Sequence, residues 1–191
     1  MVRILIGSVL GGLAQWLVGA LFWGTPLAKI VFRVAGDTEN AAVQQALAQY
    51  LAPTGTGTYY IPWPDSAGGT VLHGKGPVAL IQFNTSGFPV MDGTALMEGL
   101  ILSIISILLI GLALYAIGDR VQDFASRAKL VVLFAVATTL YFTIAQPVFN
   151  YYMPWPYFIY LALSQVLGLV VGGLVLVRWF MPAPAVVETV H

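Results

Sequence analysis

Four long apolar segments dominate the pattern of hydrophobic and polar positions in this chain. They are Val2–Trp23, Leu96–Ile117, Leu130–Gln146 and Phe158–Phe180. Each is close to the roughly 20 residues that a helix needs to cross the hydrocarbon core of a bilayer. Their only charged residues are Arg3, Glu98 and Arg178, each near an end of its segment. The pattern predicts an α-helical integral membrane protein with four transmembrane helices.

Composition agrees with this class and excludes several others. Of the 191 residues, 59% are hydrophobic and 8% are charged, whereas soluble domains carry about 25% charged residues. The formal net charge is zero, so no electrostatic argument favours a nucleic-acid partner. Because the chain has no cysteine, disulfides, thiol catalysis and iron–sulfur ligation are excluded. The expected partners are membrane lipids and other integral membrane subunits.

The positive charges of the short loops predict the orientation. The second loop, residues 118–129, holds Arg120, Arg127 and Lys129, whereas the third loop, residues 147–157, has no charge. Short loops rich in lysine and arginine stay in the cytoplasm. Residues 1–24 are too apolar for too long to be a cleaved signal peptide, so we expect an uncleaved first helix. Both termini, including a tail at residues 181–191, are then cytoplasmic, in a membrane of the bacterial inner type.

The long first loop predicts a small extracytoplasmic α+β domain at residues 25–95, inserted between helices 1 and 2. Helical spacing of apolar residues indicates an interfacial helix at 26–34 and a second helix at 38–51, with Asp37 as its N-cap. Runs rich in β-formers predict strands at 58–61, 70–73 and 78–83, followed by an extended segment at 88–91. A Gly-Lys-Gly turn at 74–76 is expected to join the last two strands.

Small residues recur at four-residue spacing in two of the apolar segments. They are Gly7 and Gly11 in the first, and Ser164, Gly168 and Gly172 in the fourth. Such stripes let helix backbones approach closely. Packing inside the protein's own bundle is the favoured interpretation, and a contact with another membrane subunit stays open as an alternative.

Few polar residues suggest chemistry. His73 is a candidate for a metal or acid–base site with Asp65 or Asp92, although a lone strand histidine is more often structural. Gln15 lies mid-segment, where an amide can bond a neighbouring helix or a ligand carbonyl. Glu98 lies near the outer end of the second segment, where the helix dipole favours a carboxylate. The segments contain no histidine or cysteine, the usual haem ligands, so we expect no cofactor, no metal and no catalytic residue.

Two Pro-Trp-Pro motifs, centred on Trp63 and Trp155, fall on the predicted outer side and are candidates for a recognition surface. We therefore expect a non-catalytic accessory or structural subunit of a larger membrane complex, with an energy-transducing complex as one candidate host. The alternative is a small lipid- or quinone-binding membrane protein or a small integral enzyme. It would act at the outer interface with His73 and Glu98.

Overall fold

The computed structural model describes residues 1–181, so residues 182–191 of the predicted tail lie outside the described residues. The chain divides into two compact units. The helical unit consists of Met1–Phe32 and the chain from Gly93 onward, and the small unit is Arg33–Asp92. In chain order, the helices and strands are α1 (Val2–Trp23), α2 (Asp37–Leu51), β1 (Gly57–Ile61), α3 (Gly69–Lys75), β2 (Ala79–Phe83), α4 (Gly93–Ala116), α5 (Phe124–Thr139), α6 (Ala145–Phe149) and α7 (Trp155–Trp179).

Four helices are long and apolar enough to cross a membrane, which confirms the predicted mostly helical fold with four candidate spans. They are α1, α4, the continuous helix Phe124–Phe149 and α7. The third is longer at both ends than predicted. It starts at Phe124 because the Asp123 carboxylate accepts the amide hydrogen of Ser126 at 2.9 Å. The Ser126 hydrogen bonds lower the pKa of Asp123 below its usual 3.8.

A π-helical turn, Leu140–Ile144, joins α5 to α6. In this turn the amide of Ala145 donates to the carbonyl of Leu140, five residues earlier. Pro147 lies three residues after this turn, and a proline cannot donate to the carbonyl four residues before it. From sequence, this proline predicts that the third segment ends at Gln146. The structure shows instead that the helix widens before Pro147 and continues to Phe149.

The long helices pack in the order α4, α1, α7 and α5. Fully buried side chains from all four form the core: Ile4, Ile107, Leu114, Val131 and Leu176. The guanidinium of Arg178 near the end of α7 lies 5.7 Å from the ring centre of Phe124 at the start of α5. Within the described residues, α4 and α5 scarcely touch, so the bundle has a gap between them.

The small unit contains a two-stranded antiparallel sheet in which Gly57 pairs with Phe83 and Ile61 with Ala79. The strand predicted at 70–73 is wrong, because these residues belong to α3. The turn predicted at 74–76 is also wrong, since α3 runs to Lys75 and ends at Gly76, where φ is +68°. Gly69 is required at the start of α3, because a Cβ there would collide with the carbonyls of Trp63 and Pro64.

Two other expectations for the first loop change in detail. The interfacial helix predicted at 26–34 is a short 3-10 helix, Pro26–Ile30. Asp37 is the first residue of α2 rather than its N-cap, which is Gly36. In each case a local pattern of apolar or capping residues correctly marked the region but not the hydrogen bonding within it.

Candidate functional site

The small-residue stripes face each other along the antiparallel contact of α1 and α7. Gly7 lies against Leu176 and Phe180, and Gly11 lies against the backbone of Gly172. Further along, the Ser164 hydroxyl accepts a hydrogen bond from the indole of Trp23 at 3.2 Å. Contacts within the chain therefore occupy the small residues that the sequence offered as a possible subunit interface. The favoured interpretation of the stripes, packing within the bundle, agrees with this arrangement.

The side chain of Gln15 packs against α7 where the small residues Gly168 and Gly172 leave room for it. A Cβ built on Gly168 would lie 3.4 Å from Cγ of Gln15, and one built on Gly172 would lie 3.1 Å from its Cβ. The carbonyl oxygen Oε1 of Gln15 is buried and has no hydrogen-bond partner among the described residues. An unpaired buried polar atom costs about 1–3 kcal/mol, so the Gln15 amide stands out from the rest of the bundle.

A polar cleft of about 280 Å³ lies beside Gln15, at mid-length of the long helices. Six of its eight lining residues are polar: Gln15, Ser106, Thr138, Thr139, Thr143 and Gln165. Phe142 and Leu169 complete the lining. The residues come from α1, α4, α7 and the helix Phe124–Phe149. The cleft exists because α4 and α5 do not close against each other, and its polar groups are amides and hydroxyls without a charge.

One hydrogen bond organises the far wall of the cleft. The hydroxyl of Thr143, which is buried in the π turn, donates to Oε1 of Gln165 at 2.5 Å. This bond holds the Gln165 carbonyl and leaves its NH2 group directed away from Thr143. π turns inside helices frequently occur at functional sites. Gln165 is not among the residues predicted from sequence, although a glutamine within an apolar segment is the same signal that indicates Gln15.

An aromatic cluster closes one end of the α1–α7 contact. The ring of Trp23 lies 5.2 Å from that of Tyr160 and 6.0 Å from that of Tyr157. The Tyr160 hydroxyl donates to the carbonyl of Phe22 at 2.7 Å. Trp155, at the start of α7, is 45% exposed and does not join this cluster. The aromatic residues at this end of α1 and α7 thus divide into an inward-facing group and an exposed group.

His73 lies on α3, not on a strand, and its ring contacts Tyr60. The two side chains share a hydrogen bond of 2.8 Å between Nε2 and the phenol oxygen. Trp63, which is 58% exposed, packs edge-on against the same tyrosine. Within the described residues, no group of three or more histidines or carboxylates is placed to hold a metal ion. Glu98 is exposed on α4, and it belongs to the helical unit whereas His73 belongs to the small unit.

Comparison with known proteins gives no family for this chain: no family model matches it, and no curated protein or solved structure shows significant similarity to it.

Proposed function

We propose that this chain is a non-catalytic accessory subunit of a larger membrane protein complex and that its small unit docks on another integral membrane subunit. One observation carries the proposal. In the small unit, only Leu51 and Gly69 are buried. A two-stranded sheet alone is marginally stable in water, and a unit of this size is near the limit for independent folding.

The apolar side chains that would form a core are instead exposed. The largest are Val34, Val43, Tyr50, Trp63, Val71, Leu72, Phe88, Val90 and Met91, each more than half exposed. Exposed apolar surface on this scale is typical of interaction sites rather than of free domains. Trp63 is the strongest single anchor, because desolvated tryptophans are common interface hot spots. A partner subunit that buries these side chains would stabilise the small unit, and docking would then be the function of this unit.

An integral membrane partner fits the chain connectivity best. The small unit follows Phe32 directly and precedes α4 directly, so with the long helices in a bilayer it stays at the membrane surface. The start of α1 meets the end of α7, where Gly7 contacts Phe180. Arg3 and Arg178 lie near these two helix ends. Arg127 and Lys129 lie in the first turns of α5. By the positive-inside rule this end is cytoplasmic, and the small unit is extracytoplasmic in a bacterial-type inner membrane.

Site-specific crosslinking tests this function on the full chain in native membranes. Because the chain has no cysteine, single photo-crosslinking groups can be attached at Trp63→Cys and Phe88→Cys. Leu133→Cys, on an exposed face of α5, serves as a control. We expect both small-unit positions to trap the same integral membrane protein, and native mass spectrometry in mild detergent to give one assembly of fixed stoichiometry.

Serine substitutions provide a second arm. Trp63→Ser combined with Met91→Ser is expected to dissociate that assembly without lowering the thermal stability of the isolated chain, because both side chains are exposed. Crosslinks to lipid alone would show that the small unit lies on the bilayer surface. Crosslinks to a second copy would show a homo-oligomer. Either result, or a monodisperse single chain in native spectra, would overturn the accessory-subunit proposal.

A further inference from the structure

We infer that the polar cleft is a binding site for the carbonyl end of an uncharged lipophilic molecule, a chemistry shared by membrane quinones and by the acyl esters of lipids. The inference goes beyond the proposed subunit role and rests on different residues. It starts from Gln15, whose Oε1 is buried without a partner in the described part of the chain, so that its NH2 is the end of the amide open to a ligand in the cleft. A satisfied bundle would pair such a group or replace it with leucine.

The open hydrogen-bonding groups of the cleft include two amide donors. Gln165 has its Oε1 engaged by Thr143, so its NH2 group is the end left for a ligand. The amide of Gln15 adds a second NH2 group beside the cleft, since its Oε1 is the buried atom. Thr138 donates to the backbone carbonyl of Phe134 at 2.7 Å and so offers no free hydrogen. Two amide donors that line the same cleft complement an acceptor such as a carbonyl oxygen.

Charge and size restrict the ligand further. No lining residue is ionisable, and a charged ligand would have no counter-charge at this depth, where charges are costly. The volume of about 280 Å³ is just below the roughly 300–1,000 Å³ of sites that enclose a whole small molecule. It therefore suits a headgroup whose apolar tail remains outside. The gap between α4 and α5 provides that exit, and Phe142, which is 71% exposed, lies at its edge.

The π turn has a defined part in this site. It presents Thr143 to Gln165, and that bond fixes which end of the amide faces the cleft. Thr143 is thus a positioning residue, while Gln15 and Gln165 are the groups that would touch the ligand. The site needs no covalent or redox step, and binding alone is inferred.

Binding can be tested on the purified full chain in mild detergent. The probes are a short-chain benzoquinone, added from solution, and the lipids that co-purify, identified by organic extraction and chromatography. Gln15→Leu and Gln165→Leu remove one donor each at nearly constant volume. Gln146→Leu makes the same change at an exposed position outside the cleft. Losing one hydrogen bond to an uncharged ligand typically costs about 0.5–1.5 kcal/mol, which is about 3- to 10-fold in affinity.

The expected result is a 3- to 10-fold weaker affinity in each cleft variant and unchanged affinity in Gln146→Leu. Gln15→Leu should also keep or raise the thermal stability of the ligand-free chain, because it removes the unpaired buried carbonyl oxygen Oε1. Stabilisation by the benzoquinone identifies a quinone-type ligand. Retention of a phospholipid or glyceride that the cleft variants lose identifies an ester. If neither probe binds, or if both cleft variants bind like the wild type, the inference is overturned.

Discussion

A Cβ on Gly172 would lie 2.6 Å from the carbonyl oxygen of Gly11, and a Cβ on Gly11 would lie 2.5 Å from the carbonyl oxygen of Gly172. The two backbones are therefore in mutual contact, with no room for any side chain between them. Because α1 and α7 are antiparallel, a step of four residues forward on α1 corresponds to four residues backward on α7. Gln15 therefore lies against Gly168, as Gly11 lies against Gly172. The glycine stripes thus set the helix register that places Gln15 beside the cleft.

Alanine substitutions along this stripe should have graded effects. Gly172→Ala forces a methyl group onto a backbone oxygen, and we expect it to lower the free energy of unfolding by about 1–3 kcal/mol, the usual cost of overpacking. Gly168→Ala meets only Gln15, with Cγ at 3.4 Å and the backbone carbonyl oxygen at 3.6 Å, both ordinary contact distances, and should be nearly neutral. Gly19→Ala on α1, which has nothing within 4 Å, is the control. Thermal unfolding in detergent measures all three, and equal stability of all three would show that α1 and α7 are not in close contact.

The orientation predicts which loops are accessible from outside the cell. Single cysteines at Ser66, in the small unit, and at Ser126, near the start of α5, lie on exposed positions of a chain that has no cysteine of its own. On intact cells, an impermeant thiol reagent should label Ser66→Cys and spare Ser126→Cys until the membrane is permeabilised. Labelling of Ser126→Cys alone would show that the orientation in the membrane is the opposite of the one proposed.

The apolar segments could be located from sequence because a bilayer-length run of apolar residues has few alternative explanations. The start of α5 could not. Arg127 and Lys129 looked like loop residues, yet Arg127 is 5% exposed and its Nε donates to the carbonyl of Val121 at 3.0 Å. A long arginine side chain can bury its stem and still bond a loop carbonyl. That arrangement depends on the fold of the loop, which charge counting does not describe.

The polar cleft was even less accessible to sequence analysis. Gln15 was recognised because it interrupts an apolar segment, but its relation to Gln165 and Thr143 depends on how three helices pack. Thr143 lies in the π turn before Pro147, and no residue pattern in the sequence predicts a π turn at this place. In the small unit, Thr70 and Val71 carry β propensity, but helical hydrogen bonds such as Leu72 to Gly68 at 3.0 Å decide the local structure.

The hydroxyl of Tyr160 should contribute to the stability of the α1–α7 contact. Tyr160→Phe removes its 2.7 Å hydrogen bond to the Phe22 carbonyl and retains the ring against Trp23. We expect a loss of about 0.5–1.5 kcal/mol in the free energy of unfolding, typical of one hydrogen bond. Tyr141→Phe makes the same change on a tyrosine that is 70% exposed and should have little effect. A larger loss at Tyr141 than at Tyr160 would contradict this assignment.

The cap of α5 should respond to acid. Hydrogen bonds from Ser126 hold the pKa of Asp123 below 3.8, so the folded chain favours the carboxylate more than the unfolded chain does. The stabilisation is complete above the unfolded pKa and is lost as pH falls through the lower folded pKa. Asp123→Asn keeps an oxygen that can cap the helix but does not titrate. The difference in thermal stability between wild type and this variant should therefore be constant at neutral pH and change only below about pH 4. A difference that changes between pH 5 and 8 would point to another group.

The accessory-subunit proposal separates the role of His73 from that of the tryptophans in the two Pro-Trp-Pro motifs. His73 bonds Tyr60 within the small unit, so His73→Ala should cost some local stability and leave assembly of the host complex intact. Trp63→Ala combined with Trp155→Ala should weaken assembly, since interface tryptophans commonly contribute about 2 kcal/mol or more each. Trp16→Ala is unsuitable as a control because its indole donates to the Leu96 carbonyl at 3.1 Å; Trp179→Ala, at an exposed position on α7, is the better match. Native mass spectrometry and activity of the host complex measure both effects. If His73→Ala abolished activity while the double tryptophan variant assembled normally, an enzymatic role centred on His73 would replace the structural one.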